Sequence, residues 1–335
     1  MDIEVGQEVA EGLQVVSLLG EGGQCKLYEA VEKAEGKKPR RVVVKVPKNS
    51  SRTSLKALEN EARVLKELNT PLAPRLIAAK LDNSPPFIAI ELIRGQALSE
   101  APRPTSAKSV LDITLDLLDA IGQVHSSGFV HRDIKPQNFI VGLRNSLVDF
   151  SLAARAGERG IPGGTRRYSV EECMRGEARA ECDLYSAGRV LSELASHSRH
   201  KGLAKVAEAA VNWMFSSATE MASAARWAAH DLSAPRVVLG YRRVEIRESC
   251  RIGRAHGLEM QIPDRERFVS PVHAVIKLEG DSFILEDAGS LNGTFVFRGG
   301  YRKVREPIEL EDGDLIALCY SRRKGAHVVL RFWRW

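Results

Sequence analysis

The chain has few aromatic residues, no paired-cysteine motif and no long apolar run. Aromatics are 6% of its 335 residues, too few and too scattered for the stacking platform of a single-stranded nucleic-acid binder. Its 49 basic and 43 acidic residues are interleaved, so the net charge of +6 builds no basic stripe and no nucleic-acid partner is expected. The five cysteines, Cys25, Cys173, Cys182, Cys250 and Cys319, are odd in number and lack any C-x-x-C or zinc spacing, which fits a reducing compartment best. No window approaches the roughly 18 uninterrupted apolar residues of a membrane helix. The acidic start MDIEVGQEVAEGL lacks the basic and apolar parts of a signal peptide. The expectation is a cytoplasmic protein with no membrane partner. The 44% hydrophobic and 27% charged residues are ordinary globular values, and the length suits two or three domains.

Three textures follow one another along the chain. From residue 9 to about 90, VVSLLG, KLYEAVE and RVVVKV read as strands rich in β-branched residues, around a helix in SLKALENEARVLKELN with apolar residues at helical spacing. The charged stretch EKAEGKKPRR at 32–41 reads as a hairpin turn. From about 105 the text turns helical, with Leu111, Leu115, Leu118 and Ile121 on one face of VLDITLDLLDAIGQVHSSG and a glycine closing it. After His230 a proline breaks the pattern, and short strands recur: RVVLGY, VEIRES, HAVIKLE, SFILED, GTFVF, LIALCY and HVVLRFW. Their punctuation by Gly, Asp and Asn suggests an all-β sandwich. The last hundred residues carry +4 and the rest +2, so neither part is strongly polarised.

Phosphate chemistry is legible in the first part. In LGEGGQCKL at 19–27, Gly20 and Gly22 sit where side chains would block backbone amides from phosphate oxygens. Lys45 ends VVVK on a strand, and Glu61 lies on the following helix in reach of it. HRDIKPQNFI at 131–140 and LVDFS at 147–151 then bring Asp133, Lys135, Asn138 and Asp149 into close succession. In order and spacing these segments resemble eukaryotic-type, bacterial-like protein kinases of the serine/threonine class, over residues 9 to about 232.

The resemblance implies ATP and Mg²⁺ as cofactors. Asp133 would accept the substrate hydroxyl's proton, and Lys135 would steady the γ-phosphate. Asn138 and Asp149 would hold Mg²⁺, and Lys45, paired with Glu61, would reach the α- and β-phosphates. Gly20, Glu21, Gly22, Gly23 and Leu27 would cover the nucleotide. Ile90 would be the gatekeeper, with Glu91 and Ile93 presenting backbone groups to adenine. Thr165 in GTRRYSVEE would contact the catalytic aspartate. Asp183 in DLYSAG would anchor the catalytic loop. Arg132 is expected to meet a phosphate on Thr165 or Ser169. Four departures stand out: Cys25 at the third glycine position, Ser151 after Asp149-Phe150, Glu171 in place of proline before Glu172, and no arginine for Glu172. Met221 falls near that arginine's place and Arg226 is the nearest substitute. An exposed Cys25 would be open to oxidation.

In the last part CRIGRAHG at 250–257, VSPVHAVI at 269–276 and DAGSLNGTFV at 287–296 resemble a forkhead-associated (FHA) domain, a β-sandwich that binds phosphothreonine peptides. Arg254 and Ser270 would hold phosphate and Asn292 the peptide backbone, with His273 bracing the loop. Pro271 and Leu291 stand where further donors are usual, so the expectation is either a lower affinity or a part supplied by Arg251 or Arg267, the alternative being a sandwich that no longer binds.

The fold class expected is α+β, a bilobal protein-kinase fold with a short C-terminal lobe followed by an all-β FHA sandwich. The domains are 9–232 (kinase), 233–236 (linker) and 237–335 (FHA). The function expected is a serine/threonine kinase acting on protein substrates and binding phosphothreonine proteins. Self-association would run through autophosphorylated Thr53, Thr70, Thr105 or Thr165. The alternative is a pseudokinase scaffold that recruits phosphorylated partners.

Overall fold

The computed structural model describes residues 3–33, 39–198, 200–229, 235–240, 242–322 and 324–334. Among them no helix is long and apolar enough to cross a membrane. Most of the turn expected at 32–41 lies outside the described residues, although the strands flanking it pair, Glu32 with Arg40.

The first lobe is an antiparallel sheet of β1 (Glu8–Ala10), β2 (Leu13–Glu21), β3 (Cys25–Glu32), β4 (Arg40–Pro47), β5 (Leu76–Lys80) and β6 (Phe87–Glu91), in the order β1-β2-β3-β4-β6-β5. Strand β4 is central and buried on both faces, as its valine run requires. Alternation sends Val42, Val44 and Val46 to an outer cluster with Tyr28 and Phe87, while Val43 faces the main core with Ile88 and Ile90. Period two then puts Lys45 on Val43's side. Helix α1 (Arg52–Glu67) begins at Ser51, whose hydroxyl accepts from the Ser54 N–H, and buries Leu58, Glu61, Ala62 and Leu65. The one charged residue on that apolar stripe is Glu61.

The second lobe holds α2 (Ala107–Ser126), α3 (Glu171–Met174), α4 (Ala180–Ser198), α5 (Lys201–Val211) and α6 (Ala218–Ala228). Before α2 comes β7 (Gly95–Ala97), and between α2 and α3 run β8 (Phe129–Val130), β9 (Phe139–Gly142), β10 (Ser146–Leu147) and β11 (Ala154–Arg155); β7, β9 and β10 form one small sheet and β8 and β11 another. Only α5 and α6 follow α4 among the described residues, in keeping with the short lobe expected. The cysteines do not all remain free. Cys173 in α3 and Cys182 in α4, both buried, form a disulfide, which the odd count and wide spacing gave no reason to expect.

The sandwich comprises β12 (Arg236–Leu239), β13 (Arg242–Glu245), β14 (Ser249–Gly253), β15 (Met260–Gln261), β16 (Ala274–Glu279), β17 (Ser282–Asp287), β18 (Thr294–Phe297), β19 (Tyr301–Lys303), β20 (Ile308–Glu309), β21 (Leu315–Leu318) and β22 (Val328–Trp333). One sheet runs β13-β12-β22-β21-β18-β19 and the other β15-β14-β16-β17-β20. Between them lies a core including Val237, Ile252, Ile276, Leu285, Ile316 and Phe332. Arg236, assigned by sequence to the linker, already pairs with Glu245 in β12; residues 233 and 234 lie outside the described residues.

The sandwich is not a separate body. Val238, Leu315, Ala317, Val329 and Trp333 from its first sheet belong to the same hydrophobic cluster as the helical lobe. On α2 this contact meets Asp112, Asp116 and Asp119, which share a polar stripe at i, i+4 and i+7. Asp112 and Asp116 are buried. Arg236 Nε lies 2.7 Å and Arg243 Nη1 3.2 Å from Asp112, while Arg331 lies 2.7 Å from both Asp116 and Asp119. Burial pushes the Asp116 carboxyl up to about 6 against the opposing pull of Arg331. The backbones also meet: the Val329 N–H donates to Leu143 O at 2.9 Å. Gly240, at φ +57°, comes so close that a Cβ would stand 2.9 Å from Gly142 O.

Cys25 opens β3 with its thiol turned into the core, so the exposure that would make it an oxidation switch is absent. Burial pushes its pKa to about 12 despite Lys45 nearby. Because the shift is upward, the reactive thiolate grows only as pH rises towards 12, and at pH 8 it is about 10⁻⁴ of the thiol. Iodoacetamide at pH 8 should therefore leave Cys25 unmodified in the folded protein and label it after denaturation, as read by peptide mass. Rapid labelling of the native thiol would contradict the burial. At the domain interface, Asp116→Ala leaves Arg331 buried with half its partners and should cost about 3 kcal/mol. The pair Asp116→Leu with Arg331→Met should recover most of that in urea melts, and an unchanged midpoint for Asp116→Ala would remove the ion pairs from the account of stability.

Candidate active site

Lys45 and Glu61 meet because β4 and α1 each turn one charged residue towards the same core. Lys45 Nζ stands 2.7 Å from both Glu61 oxygens and 3.2 Å from Asp149 Oδ1. Burial disfavours the ammonium charge, but Asp149 and Glu61 outweigh it and raise the Lys45 pKa. Burial likewise opposes ionisation of Asp149, yet Lys45 and a hydrogen bond from Ser151 hold its carboxyl down at about 2. The Phe150 N–H donates to Glu61 at 3.2 Å, so the segment after Asp149 is tied to α1. Asn60 donates to Ser151 O and Ala153 O at 3.0 and 2.8 Å. Ser151 thus occupies the glycine's place without moving Asp149 away from Lys45.

Below the cleft, Asp133 Oδ2 is 2.6 Å from Lys135 Nζ, and Thr165 Oγ1 donates to Asp133 Oδ1 at 3.0 Å. Lys135 also donates to Thr165 at 3.1 Å, closing a ring of three side chains. Asn138 donates to Asp133 Oδ2 at 3.0 Å, and its carbonyl O accepts from the Val148 N–H at 2.9 Å. That backbone bond brings Asn138 alongside the segment that carries Asp149. Every residue expected to handle protons or metal thus falls into one of two contacting groups, Lys45-Glu61-Asp149 or Asp133-Lys135-Asn138-Thr165.

The catalytic loop hangs on Asp183, fully buried in α4, which accepts from the His131 and Arg132 N–H groups at 2.8 and 2.7 Å. His125 Nε2 lies 2.9 Å from the same carboxylate; sequence reading gave this histidine no role. The His131 ring packs 4.7 Å from Phe150. Arg132 was expected to wait for a phosphate. Instead its guanidinium donates to Leu152 O, Ile161 O and Cys173 O at 2.9, 2.9 and 3.0 Å. Backbone carbonyls of the activation segment take its two terminal nitrogens, its Nε stays buried without a partner, and the Thr165 hydroxyl is engaged by Asp133.

The brace expected of Arg226 is also absent. Arg226 pairs with Asp312 of the sandwich at 3.3 Å and lies over the Trp333 ring, while Glu172 is exposed and Met221 is core. The Cys173–Cys182 bond instead ties the end of the activation segment to α4. Cys173 was visible in sequence, but its partner followed only from the packing of α3 on α4.

The nucleotide-facing residues form the rim. Gly20 and Glu21 end β2, Gly22 and Gly23 lie in the turn before β3, and Leu27 packs against the core from β3. Glu21 pairs with Lys26 and Lys48 at 3.6 and 3.3 Å, leaving its backbone as the part that could meet phosphate. Glu91 ends β6 and Ile93 follows in the segment joining the lobes; the Glu91 side chain points outward to Arg144 at 3.1 Å. No cluster of three or more His, Cys, Asp or Glu able to hold a metal occurs among the described residues. Asn138 and ionised Asp149 therefore fit Mg²⁺, which keeps several waters and takes substrate phosphates as ligands, and do not make a closed protein cage.

At the far end of the sandwich, the Arg254 N–H donates to Ser270 O at 3.1 Å and Ser270 Oγ accepts from the Leu291 N–H at 3.1 Å. His273 braces the loop as expected, accepting from the Ser270 N–H at 3.0 Å and meeting Gly293 O at 3.1 Å. Asn292 donates to Phe268 O at 2.8 Å. Arg254 Nε is buried without a partner, the unmet donor that an anion would satisfy. Arg251 cannot compensate for Pro271 and Leu291, because it is held bidentately by Glu259. Leu291 is 87% exposed, an apolar surface beside Asn292.

Comparison with known proteins agrees with both halves. Residues 250–319 match the FHA domain and residues 13–226 the protein kinase domain. The probable serine/threonine-protein kinase PknB of Lactococcus lactis is 25% identical over 206 residues, 57% of this chain and 32% of that protein. Serine/threonine-protein kinase pkn3 of Myxococcus xanthus is 28% identical over 216 residues (58% and 39%). Serine/threonine-protein kinase PknA of Mycobacterium tuberculosis is 28% identical over 219 residues (59% and 50%). The chain thus spans about a third to a half of the length of these curated relatives. Because the kinase match covers well over half of this sequence, the chain belongs to the protein kinase family, extended by an FHA domain.

Proposed function

We propose that this protein transfers the γ-phosphoryl group of ATP, with Mg²⁺, to serine or threonine hydroxyls of protein substrates, and that its FHA domain binds phosphothreonine peptides. The observation that carries the first half is the assembled cleft: Lys45 paired with Glu61, Asp149 held ionised beside Lys45, and Asp133 ringed by Lys135, Thr165 and Asn138. A scaffold without catalysis has no need of both groups, the three residues around Lys45 and the four around Asp133, facing one cleft.

In this reading Asp133 orients the incoming hydroxyl and accepts its proton late in transfer, and Thr165 fixes the carboxylate that does so. Lys135 brings positive charge to the side where the γ-phosphoryl moves, while Lys45 holds the other phosphates. Mg²⁺ bound at Asn138 and Asp149 would neutralise charge on the phosphates. Catalysis rests on positioning and fixed charge. The three carbonyls on Arg132 order the activation segment without phosphorylation, so the unmodified protein is expected to be competent.

For the FHA domain the supporting observation is Arg254, whose unmet Nε lies in the loop bonded to Ser270. Self-association is part of this reading. Of the four threonines considered, Thr53 and Thr105 are exposed and are the candidate autophosphorylation sites. The cytoplasm, where ATP is made and held, is the place proposed. The disulfide is unusual for such a compartment, and its burial shields it from soluble thiols.

Asp133→Asn should lower autophosphorylation by about 10²–10⁴-fold while leaving ADP binding within about twofold, since Asp133 does not touch the Lys45 group. Radiolabel transfer and calorimetry read the two, and full transfer by this variant would falsify the role assigned. Arg254→Ala should weaken a phosphothreonine peptide by roughly 2 kcal/mol without changing transfer to an exogenous peptide; unchanged affinity in fluorescence anisotropy would count against the phosphate site.

A further inference from the structure

A cavity of about 830 Å³ lies away from the nucleotide cleft, between the outer side of the inter-lobe hinge and the peptide-binding end of the FHA domain. Hinge residues Glu91 to Arg94 and N-lobe residues around Arg75 line one side. Phe268, Asn292 and the hairpin around Lys324 line the other. Asn292 is the residue expected to grip the peptide backbone, so a peptide held there passes this opening.

The chemistry of the opening is cationic. Arg75 and Arg144 share one carboxylate, Glu91, at 3.6 and 3.1 Å. The Arg75 Nη1 donates to Arg322 O at 2.9 Å, but its Nε is beyond hydrogen-bond range of Glu91 and its Nη2 has no partner. Burial pushes the Arg75 pKa down against the pull of Glu91, and neighbouring Arg40 and Arg144 add to the lowering. Lys324 adds an exposed ammonium at the rim. On the FHA side, Pro271 and Leu291 provide no side-chain donors to a phosphopeptide.

We propose that the phosphopeptide site is composite, with the kinase domain's Arg75 and the FHA hairpin's Lys324 binding an acidic side chain that flanks the phosphothreonine held at Arg254, Ser270 and Asn292. The proposal rests on the phosphothreonine reading above and adds its specificity: peptides with Glu or Asp beside the phosphothreonine, read by two domains at once. A planar guanidinium whose buried Nε and Nη2 lack a hydrogen-bond partner, with Glu91 only at ion-pair distance, suits a further carboxylate.

Fluorescence anisotropy on the full chain, with a labelled phosphothreonine peptide flanked by glutamates and its glutamine counterpart, tests this. Wild type should prefer the glutamate peptide by about tenfold. In Arg75→Gln that preference should fall to about twofold or less while the requirement for phosphate persists. Lys324→Gln, at an exposed position that the fold does not need, should show a smaller loss of the same preference and serves if Arg75→Gln does not fold. An equal preference in wild type and in the folded variants overturns the composite site while leaving the phosphothreonine reading intact. Equal binding of phosphorylated and unphosphorylated peptides overturns both.

Discussion

One buried carboxylate sets the geometry of the catalytic loop. Asp183 has no access to water, and a lone charge there would be costly. Burial opposes its ionisation, but His125, His131 and the Arg132 N–H bring its pKa below the ordinary value. Two of its bonds fix the backbone of His131 and Arg132, holding Arg132 at φ +69°, a conformation that a non-glycine residue adopts only when its surroundings over-determine it. From that turn Asp133 points into the cleft while the Arg132 side chain runs the other way into the activation segment. A single anion on α4 therefore positions Asp133, the carboxylate proposed as catalytic, and, through the three carbonyls on Arg132, the segment that carries Thr165.

The activation segment is held at both ends by unlike means. Arg132 serves its beginning and middle with hydrogen bonds to main-chain oxygens, which any sequence supplies. Its end is held by the Cys173–Cys182 bond, and Arg132 also donates to Cys173 O. The arginine that might have braced Glu172 is committed to the sandwich, where Arg226 covers Trp333. The short helical lobe and the disulfide are thus connected. Among the described residues α5 and α6 are the helices that follow α4, the FHA sheet packs on the helical lobe's core, and Arg226 is drawn into that contact.

The residues proposed for catalysis were legible because phosphoryl transfer demands particular side chains at close sequence intervals, and HRDIKPQN and VDFS carry most of them. The strands and helices of the first lobe were legible because β-branched runs and helical spacing agree with their burial. Less visible were features whose cause lies across the fold. Asp112, Asp116 and Asp119 drew no reading from the sequence, since nothing local signals that Arg236, Arg243 and Arg331 will cover them. The disulfide depends on α3 meeting α4, and His125 is an ordinary polar residue near a helix end until Asp183 arrives beside it. In the sandwich β14 is half hidden inside a recognition motif, and β15, β19 and β20 are only two or three residues long, too short to show any alternation.

The interface decides what kind of two-domain protein this is. A flexible linker would let the FHA domain act as a tether, raising local concentration without altering how the kinase works. Here β12 begins at Arg236 with its guanidinium already committed to Asp112 on α2, and the sheet it starts completes the apolar core of the helical lobe. Separating the domains would expose Trp333 and Val329 and leave Arg331 and Asp116 facing water singly, so the arrangement is part of the fold. A consequence is that the FHA end proposed to bind peptides cannot turn freely towards any partner. It faces the outer side of the hinge, where Glu91 links Arg75 and Arg144 to the strand whose end is expected to receive adenine. Whatever occupies the FHA loops does so within a few residues of the segment joining the two kinase lobes.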